Sequence, residues 1–322
     1  MPITIFAMGK PYFLIRDGRL SRKENTILFE SESLSKTIPI EDIDELFVLS
    51  EISLTSKFLK LLSEKGVVMH LFNRFGFYVG SFYPRETDPS GYLLIKQAEH
   101  YLEQEKRLYL AKAFVSGAIE NLSFVYNLDG DEYLKRLSEK KSVEEVMSVE
   151  GEFRKKCYEK LEEITGFEFG TRTKRPPKNP LNALVSFGNS LVYAKVLGEI
   201  YYTQLNPAIS YLHEPSTKRF SLSLDLSEVF KPILSDSLII DLAGKTITEK
   251  HFVNNSGLVY LNEEGKRIFL EEFNKLIEKT LKHKKLKRNV SIRSLIRIEA
   301  YKIVKHLVGD EMYTPFIYRN LL

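Results

Sequence analysis

Cysteine is almost missing, since Cys157 is the only one in 322 residues. No disulfide can close within the chain, and a zinc cluster built on several thiolates is excluded. A reducing, cytoplasmic setting fits that composition. Also missing is any uninterrupted apolar run long enough to span a bilayer. The opening stretch MPITIFAMGKPYF lacks the basic region and long apolar segment of a secretory signal. The expectation is a protein that is neither exported nor membrane-spanning. Long polar low-complexity tracts and internal repeats are absent too, which argues against extended disorder. Glutamine occurs only at 97, 104 and 204 while lysine and glutamate abound, a balance that hints at heat tolerance.

What is present is an ordinary globular composition, 43% hydrophobic with mixed charges, in a chain long enough for about two domains with separate cores. The net charge of +4 is modest, but its placement is uneven. Acids and bases balance over residues 1–86. The surplus lies beyond, in Arg172-Thr-Lys174-Arg175-Pro-Pro-Lys178 and in the tail from Lys275 to Lys305, whose only acids are Glu278 and Glu299. Such patches supply the phosphate attraction of nucleic-acid binders, although a solvated helix face accounts equally well for the tail alone.

The first part of the chain reads as short strands. Tyr12 to Ile15 runs into Asp17-Gly18, a hairpin turn signal, with Thr26 to Phe29 as a partner strand. Leu46 to Leu49, Val67 to Phe72 and Gly76 to Tyr83 read as further strands, and Leu54, Phe58, Leu61 and Leu62 mark a helix ended by Gly66. Helical periods dominate after the charged, turn-rich stretch Pro84 to Gly91. The expected helices run from Leu93 to about Leu128, Ser142 to about Ile164, Leu181 to about Tyr202, Ser221 to about Ile239 with a kink or interruption at Pro232, Glu263 to about Lys285, and Ser291 to about Val308. The expected fold class is α+β: a small β-rich N-terminal domain over 1–84, a linker over 85–91, and a larger all-α C-terminal domain over 92–322.

Two groups of side chains could do chemistry. On the helix opened by Ser142, Val143, Val146, Met147, Phe153, Cys157 and Ile164 form an apolar stripe that contains Glu150. A carboxylate pointed inward must be paired with Arg or Lys, protonated, or bound to a cation. The second group is His213 followed by Asp225 and Glu228, whose spacing of three makes them neighbours on one helix face. Repulsion between adjacent carboxylates is relieved by a bridging divalent cation, and an oxygen-rich donor set suits magnesium or manganese. Each feature also has a bland reading, as a surface histidine or a solvated acidic face.

Taken in order, these stretches carry a resemblance. Val149-Glu150-Gly151, then Arg175-Pro-Pro-Lys-Asn-Pro-Leu-Asn182-Ala-Leu-Val-Ser-Phe-Gly188, then Leu205-Asn206-Pro207 to Tyr211-Leu212-His213 resemble motifs of the CRISPR-associated integrase family, the Cas-one proteins. The likeness continues through Ser221 to Pro232, with Asp225-Leu-Ser-Glu228 inside it, and ends near Tyr313-Thr-Pro-Phe316. It spans most of the helical domain. The resemblance implies metal ligation by Glu150 and His213, with an acidic pair on the next helix whose later position, Glu228 here, usually supplies the third ligand. Whether Glu228 ligates alone or shares the role with Asp225 stays open. Asn189, where an aromatic residue is frequent, and Lys231, in place of a usual arginine, depart from the pattern.

The implied reaction is phosphodiester transfer, in which a 3′-hydroxyl of a short DNA duplex attacks a backbone phosphate of the CRISPR repeat with Mg²⁺ or Mn²⁺ as cofactor. Water as attacker would give endonuclease activity. No covalent nucleophile is needed, and no Ser-His-Asp or Cys-His arrangement stands out. The catalytic set is then Glu150, His213, Asp225 and Glu228, and Arg172, Lys174, Arg175 and Lys178 are the expected DNA clamp. The resemblance further implies a homodimer joined through the β-rich domains and a small Cas-two protein as partner. The rivals are a general branched-DNA repair nuclease with the same site and a non-catalytic DNA-binding protein.

Overall fold

Alternating apolar residues build the strands of the first unit, and the computed structural model describes residues 9–85, 90–174, 176–215, 220–283 and 285–321. The chain divides into two compact units, Met1–Thr87 and Asp88–Leu322. The first contains β1 (Lys10–Leu14), β2 (Gly18–Lys23), β3 (Thr26–Glu30), β4 (Ser35–Pro39), β5 (Ile43–Val48), β6 (Ile52–Leu54), α1 (Ser56–Lys65), β7 (Val68–Phe72) and β8 (Tyr78–Phe82). They form two four-stranded sheets, ordered β1-β5-β7-β8 and β4-β3-β2-β6. Leu46, Val48 and Met69 from the first sheet share a core with Leu20 and Ile27 from the second and with Phe58, Leu61 and Leu62 of α1. Thr55 caps α1 by accepting from the Phe58 amide at 3.2 Å, and Gly66 ends it with φ of 67°, where a side chain would be strained.

The expected hairpin around Asp17-Gly18 is corrected. β1 runs parallel to β5, whereas β3 returns antiparallel along β2, with Lys23 opposite Thr26. The reversal falls at Glu24, held at φ 54° without a glycine to announce it. Strands β2, β4 and β6 were not legible, being short and polar on one side.

The second unit contains α2 (Gly91–Leu102), α3 (Gln104–Tyr126), α4 (Asp131–Glu139), α5 (Val143–Thr165), α6 (Pro180–Tyr201), α7 (Ser221–Lys231) and α8 (Ser237–Leu242). After them come β9 (Phe252–Asn255), β10 (Leu258–Leu261), α9 (Glu263–Glu278), β11 (Thr280–His283), β12 (Arg288–Ser291) and α10 (Ile292–Leu307). Of the expected linker, residues 86–89 lie outside the described residues, and Gly91 already belongs to α2. The unit is mostly helical but not all-α, because two antiparallel hairpins, β9 with β10 and β11 with β12, interrupt it. The single helix expected from Leu93 to Leu128 breaks at Glu103 into α2 and α3.

Helix α6 is the axis of this unit. Apolar nearly all round, it is buried over most of its length and packs against α7 and α10. Its two buried charges are paired: Lys195 Nζ lies 2.6 Å from Glu199 Oε1, and Arg297 Nε of α10 lies 2.7 Å from Glu199 Oε2. Pro232 does not end the α7 helix but converts it to a π-helical turn over Pro232–Asp236, which leads into α8. Gly188 of α6 admits that turn, since a Cβ there would clash with Ser235 Oγ. Among the described residues no helix is long and apolar enough to cross a membrane.

Candidate active site

Helix α5 delivers the first acid. Ser142 caps its start, accepting from the Glu145 amide at 3.2 Å, while the Glu145 carboxylate reaches back to the Lys141 amide at 2.8 Å. Val146, Val149, Phe153, Cys157 and Leu161 form the buried stripe, whereas Met147 and Ile164, counted in the stripe from sequence, are exposed. Glu150 therefore sits at the margin of that stripe, with its side chain 23% exposed. One turn on, Arg154 places Nε 3.6 Å from Glu150 Oε1, Nη2 3.7 Å from Glu228 Oε2, and Nη1 2.9 Å from Asp236 Oδ2. Sequence reading missed Arg154, although its i,i+4 spacing from Glu150 was a usable signal. It missed Asp236 as well, which Tyr126 also holds through its hydroxyl at 2.7 Å.

The loop after α6 delivers the histidine, and Asp225 of α7 folds that loop. Asp225 is fully buried. Its Oδ2 accepts the amides of Tyr211 at 2.6 Å and Leu212 at 2.9 Å, and its Oδ1 accepts the amide and Nδ1 of His213, both at 2.9 Å. A carboxyl that already accepts three amides must accept from the ring as well, so in the neutral ring the proton of His213 sits on Nδ1 and Nε2 is the nitrogen with the lone pair. Earlier in the loop, Gln97 of α2 clamps Asn206 in both directions, accepting from its amide at 2.7 Å and donating to its carbonyl at 3.1 Å. Arg107 of α3 donates to the Tyr211 carbonyl at 3.0 Å. Nothing local in sequence pointed to Gln97 or Arg107, which lie more than a hundred residues upstream of the atoms they hold.

Glu228 follows Asp225 by one helical turn and pairs with Lys231, the residue noted as a departure in the sequence. Burial works to raise its carboxyl, but Lys231, then Arg154 and His213, hold it down at about 2. Glu150 goes the other way: burial and the neighbouring Glu228 raise it, against Arg154, Lys231 and His213. Glu150 and Glu228 thus act on one another's charge with His213 close by, while Asp225 is spent on positioning His213. Among the described residues no three His, Cys, Asp or Glu side chains converge as a ready cation cluster, because Glu228 is turned to Lys231 and Glu150 to Arg154. The donor chemistry still fits a hard divalent cation, with two mutually repelling carboxyls and one imidazole nitrogen left free by the Asp225 clasp.

The expected DNA clamp divides. Arg172 is an internal brace whose guanidinium donates to Asn182 Oδ1 at 2.9 Å and Ser186 Oγ at 3.0 Å, tying the loop to α6. Burial, before any charge effect, holds its pKa below the ordinary arginine value. Lys174 and Lys178 are exposed, and Arg175 lies outside the described residues.

A family model described as CRISPR associated protein Cas1 matches residues 12–275. A CRISPR-associated endonuclease Cas1 of Moorella thermoacetica is 48% identical over 317 residues, which is 95% of this chain and 98% of that protein. A CRISPR-associated endonuclease Cas1 of Methanocaldococcus jannaschii is 48% identical over 316 residues, covering 96% and 98%. The solved structure of a Cas1 protein from Thermotoga maritima superposes with a TM-score of 0.87 at 41% identity, covering 95% of this chain and all of that one.

Proposed function

Given that the chain belongs to the Cas1 family of CRISPR-associated proteins, we propose that it is a metal-dependent DNA endonuclease and strand-transfer integrase of CRISPR adaptation. It joins the 3′-hydroxyl of a short DNA duplex to a phosphate of the repeat array. The observation that carries this reading is the Asp225 clasp, which fixes His213 in one tautomer beside two carboxyls whose pKa values are driven apart.

Glu150, His213 Nε2 and Glu228 would hold Mg²⁺ or Mn²⁺, and such a cation supplies charge neutralisation at a phosphate under attack. Every other requirement falls on side chains. Asp225 keeps the His213 ring from rotating and from protonating at the wrong nitrogen. Lys231 and Arg154 balance Glu228 and Glu150 while no cation is there, and Arg154 retains Asp236 when Glu150 turns away. Lys174 and Lys178 offer mobile ammonium groups to the DNA backbone, with Arg175 a further candidate by sequence alone. Joining through the N-terminal β-rich unit into a homodimer, and assembly with a Cas-two protein, complete the proposal and rest on the family resemblance.

The test is insertion of a short duplex into repeat-containing plasmid DNA with Mn²⁺, with Mg²⁺ and with chelator, alongside cleavage of a branched DNA. Metal-dependent insertion at the repeat is expected. Cleavage of branches with no repeat-dependent insertion would assign a general repair nuclease, and binding without either reaction would leave only a DNA-binding protein.

A further inference from the structure

The helix expected from Glu263 to about Lys285 stops short of that end. Helix α9 stops at Glu278, and the chain projects a hairpin in which Thr280 pairs with Ser291, Leu281 with Val290, Lys282 with Asn289 and His283 with Arg288. Leu281 and Val290 are buried and anchor it, whereas Lys282, Lys285, Leu286, Lys287 and Arg288 are exposed. Lys285 has a carboxylate partner in Glu311 at 2.9 Å. Among the described residues, Lys282, Lys287 and Arg288 enter no ion pair.

Folding gains little from this arrangement. His283 and Arg288 stand directly opposite each other, a poor cross-strand pair when both carry charge. Burial, then Lys302, Lys285 and other cations nearby, pushes His283 below its ordinary value. At the tip Lys287 adopts φ of 52°, a conformation that long side chains seldom take. Like charges gathered on a strained, exposed tip cost stability unless a polyanion meets them.

We propose that the β11–β12 hairpin is a second nucleic-acid contact, a finger that lays Lys282, Lys287 and Arg288 on the phosphates of a DNA duplex. The inference rests on the reading of this chain as a DNA-joining enzyme and extends its footprint to an element outside the active site. A polynucleotide suits the hairpin better than an acidic protein. Lysine ammonium groups act as freely placed point charges, which serve a regular phosphate lattice without sequence readout. A specific protein interface would need an apolar centre, and among its described residues the hairpin exposes one large apolar side chain, Leu286.

The full chain carrying Lys282→Gln, Lys287→Gln and Arg288→Gln together is titrated with duplex DNA over a salt series. Each lost phosphate contact should reduce the slope of log affinity against log salt by about 0.9, and affinity near physiological salt should fall roughly tenfold or more. Melting of the variant at or above that of the parent confirms that the hairpin anchor survives. A parent that binds steeply with a variant of equal slope overturns the finger and spares the proposed function, whereas a parent with no salt-dependent DNA binding overturns the reading beneath both. Independently, a photoreactive maleimide on Leu286→Cys should crosslink to a DNA strand, since buried Cys157 stays unlabelled. No crosslink to bound DNA, or a crosslink only to poly-glutamate offered beside it, overturns the finger even if the triple variant fails to fold.

Discussion

Asp225 Oδ1 lies 2.9 Å from both the backbone nitrogen and Nδ1 of His213, so one oxygen fixes the residue's backbone and its ring together. The other oxygen holds the two preceding amides. Asp225→Asn places an amide donor where at least one N–H already points, stranding buried donors at a cost of roughly 2–4 kcal/mol. The expected outcome is a clearly lowered melting temperature with loss of strand transfer. His213→Gln should lose activity with a smaller shift in melting, since the Asp225 carboxyl keeps its amide partners. Equal melting of Asp225→Asn and the parent would show that the clasp is not formed in solution.

Glu150→Gln should abolish strand transfer and metal-dependent cleavage while leaving the fold intact. Removing this charge does not strand Arg154, which keeps Asp236 at 2.9 Å. The sign of the pH effect follows from the raised carboxyl. A folded-state pKa above the unfolded value stabilises the protein at low pH, and that stability is lost as pH rises through the folded pKa. In chelator, the variant should therefore gain melting temperature relative to the parent between acidic and neutral pH. Added Mn²⁺ should stabilise the parent more than the variant. Thermal melts from pH 4 to 7, with and without Mn²⁺, check both signs.

Glu228 carries the opposite sign. Its carboxyl is held down at about 2, so its contribution is present at neutral pH and is lost as pH falls from the ordinary carboxylate range toward that value. Lys231→Met removes the cation that does most to hold it down. The acid limb of the stability profile should then move to higher pH, as read by denaturation at pH 2 to 5. An unmoved limb would mean that Lys231 does not set the Glu228 charge.

The loop before α6 separates structure from binding. Arg172→Ala deletes the hydrogen bonds to Asn182 and Ser186 and should cost about 1–3 kcal/mol of stability. Lys174→Gln with Lys178→Gln should leave melting unchanged and reduce the salt slope of DNA binding by up to about 2. The reverse pattern would return Arg172 to the clamp.

Cys157 has its thiol pushed up to about 12, chiefly by burial. Thiol reagents near pH 8 should leave the folded protein unmodified and react only on unfolding. Rapid labelling of the native protein would contradict the packing of α5.

Much of this protein was legible in the sequence because local rules govern it. Ser142 and Glu145 announce the start of α5, Gly66 the end of α1, and Pro232 the change of helical hydrogen bonding after α7. The ordered motifs around Glu150, His213, Asp225 and Glu228 identified the family. Hairpins β9–β10 and β11–β12 were missed because their strands are only four residues each and the second is rich in lysine, a composition that reads as helix surface. Tertiary structure alone decided which acid does what. Asp225 and Glu228 look equivalent at a spacing of three, yet the chain returning from α6 offers its amides to Asp225, while Glu228 faces Lys231 and Arg154. It also decided that Arg172 braces the fold while Lys174 is exposed. Sequence fixes the charge a residue carries and the helix face it occupies, but a hydrogen bond is settled by which distant groups packing brings within about 3 Å.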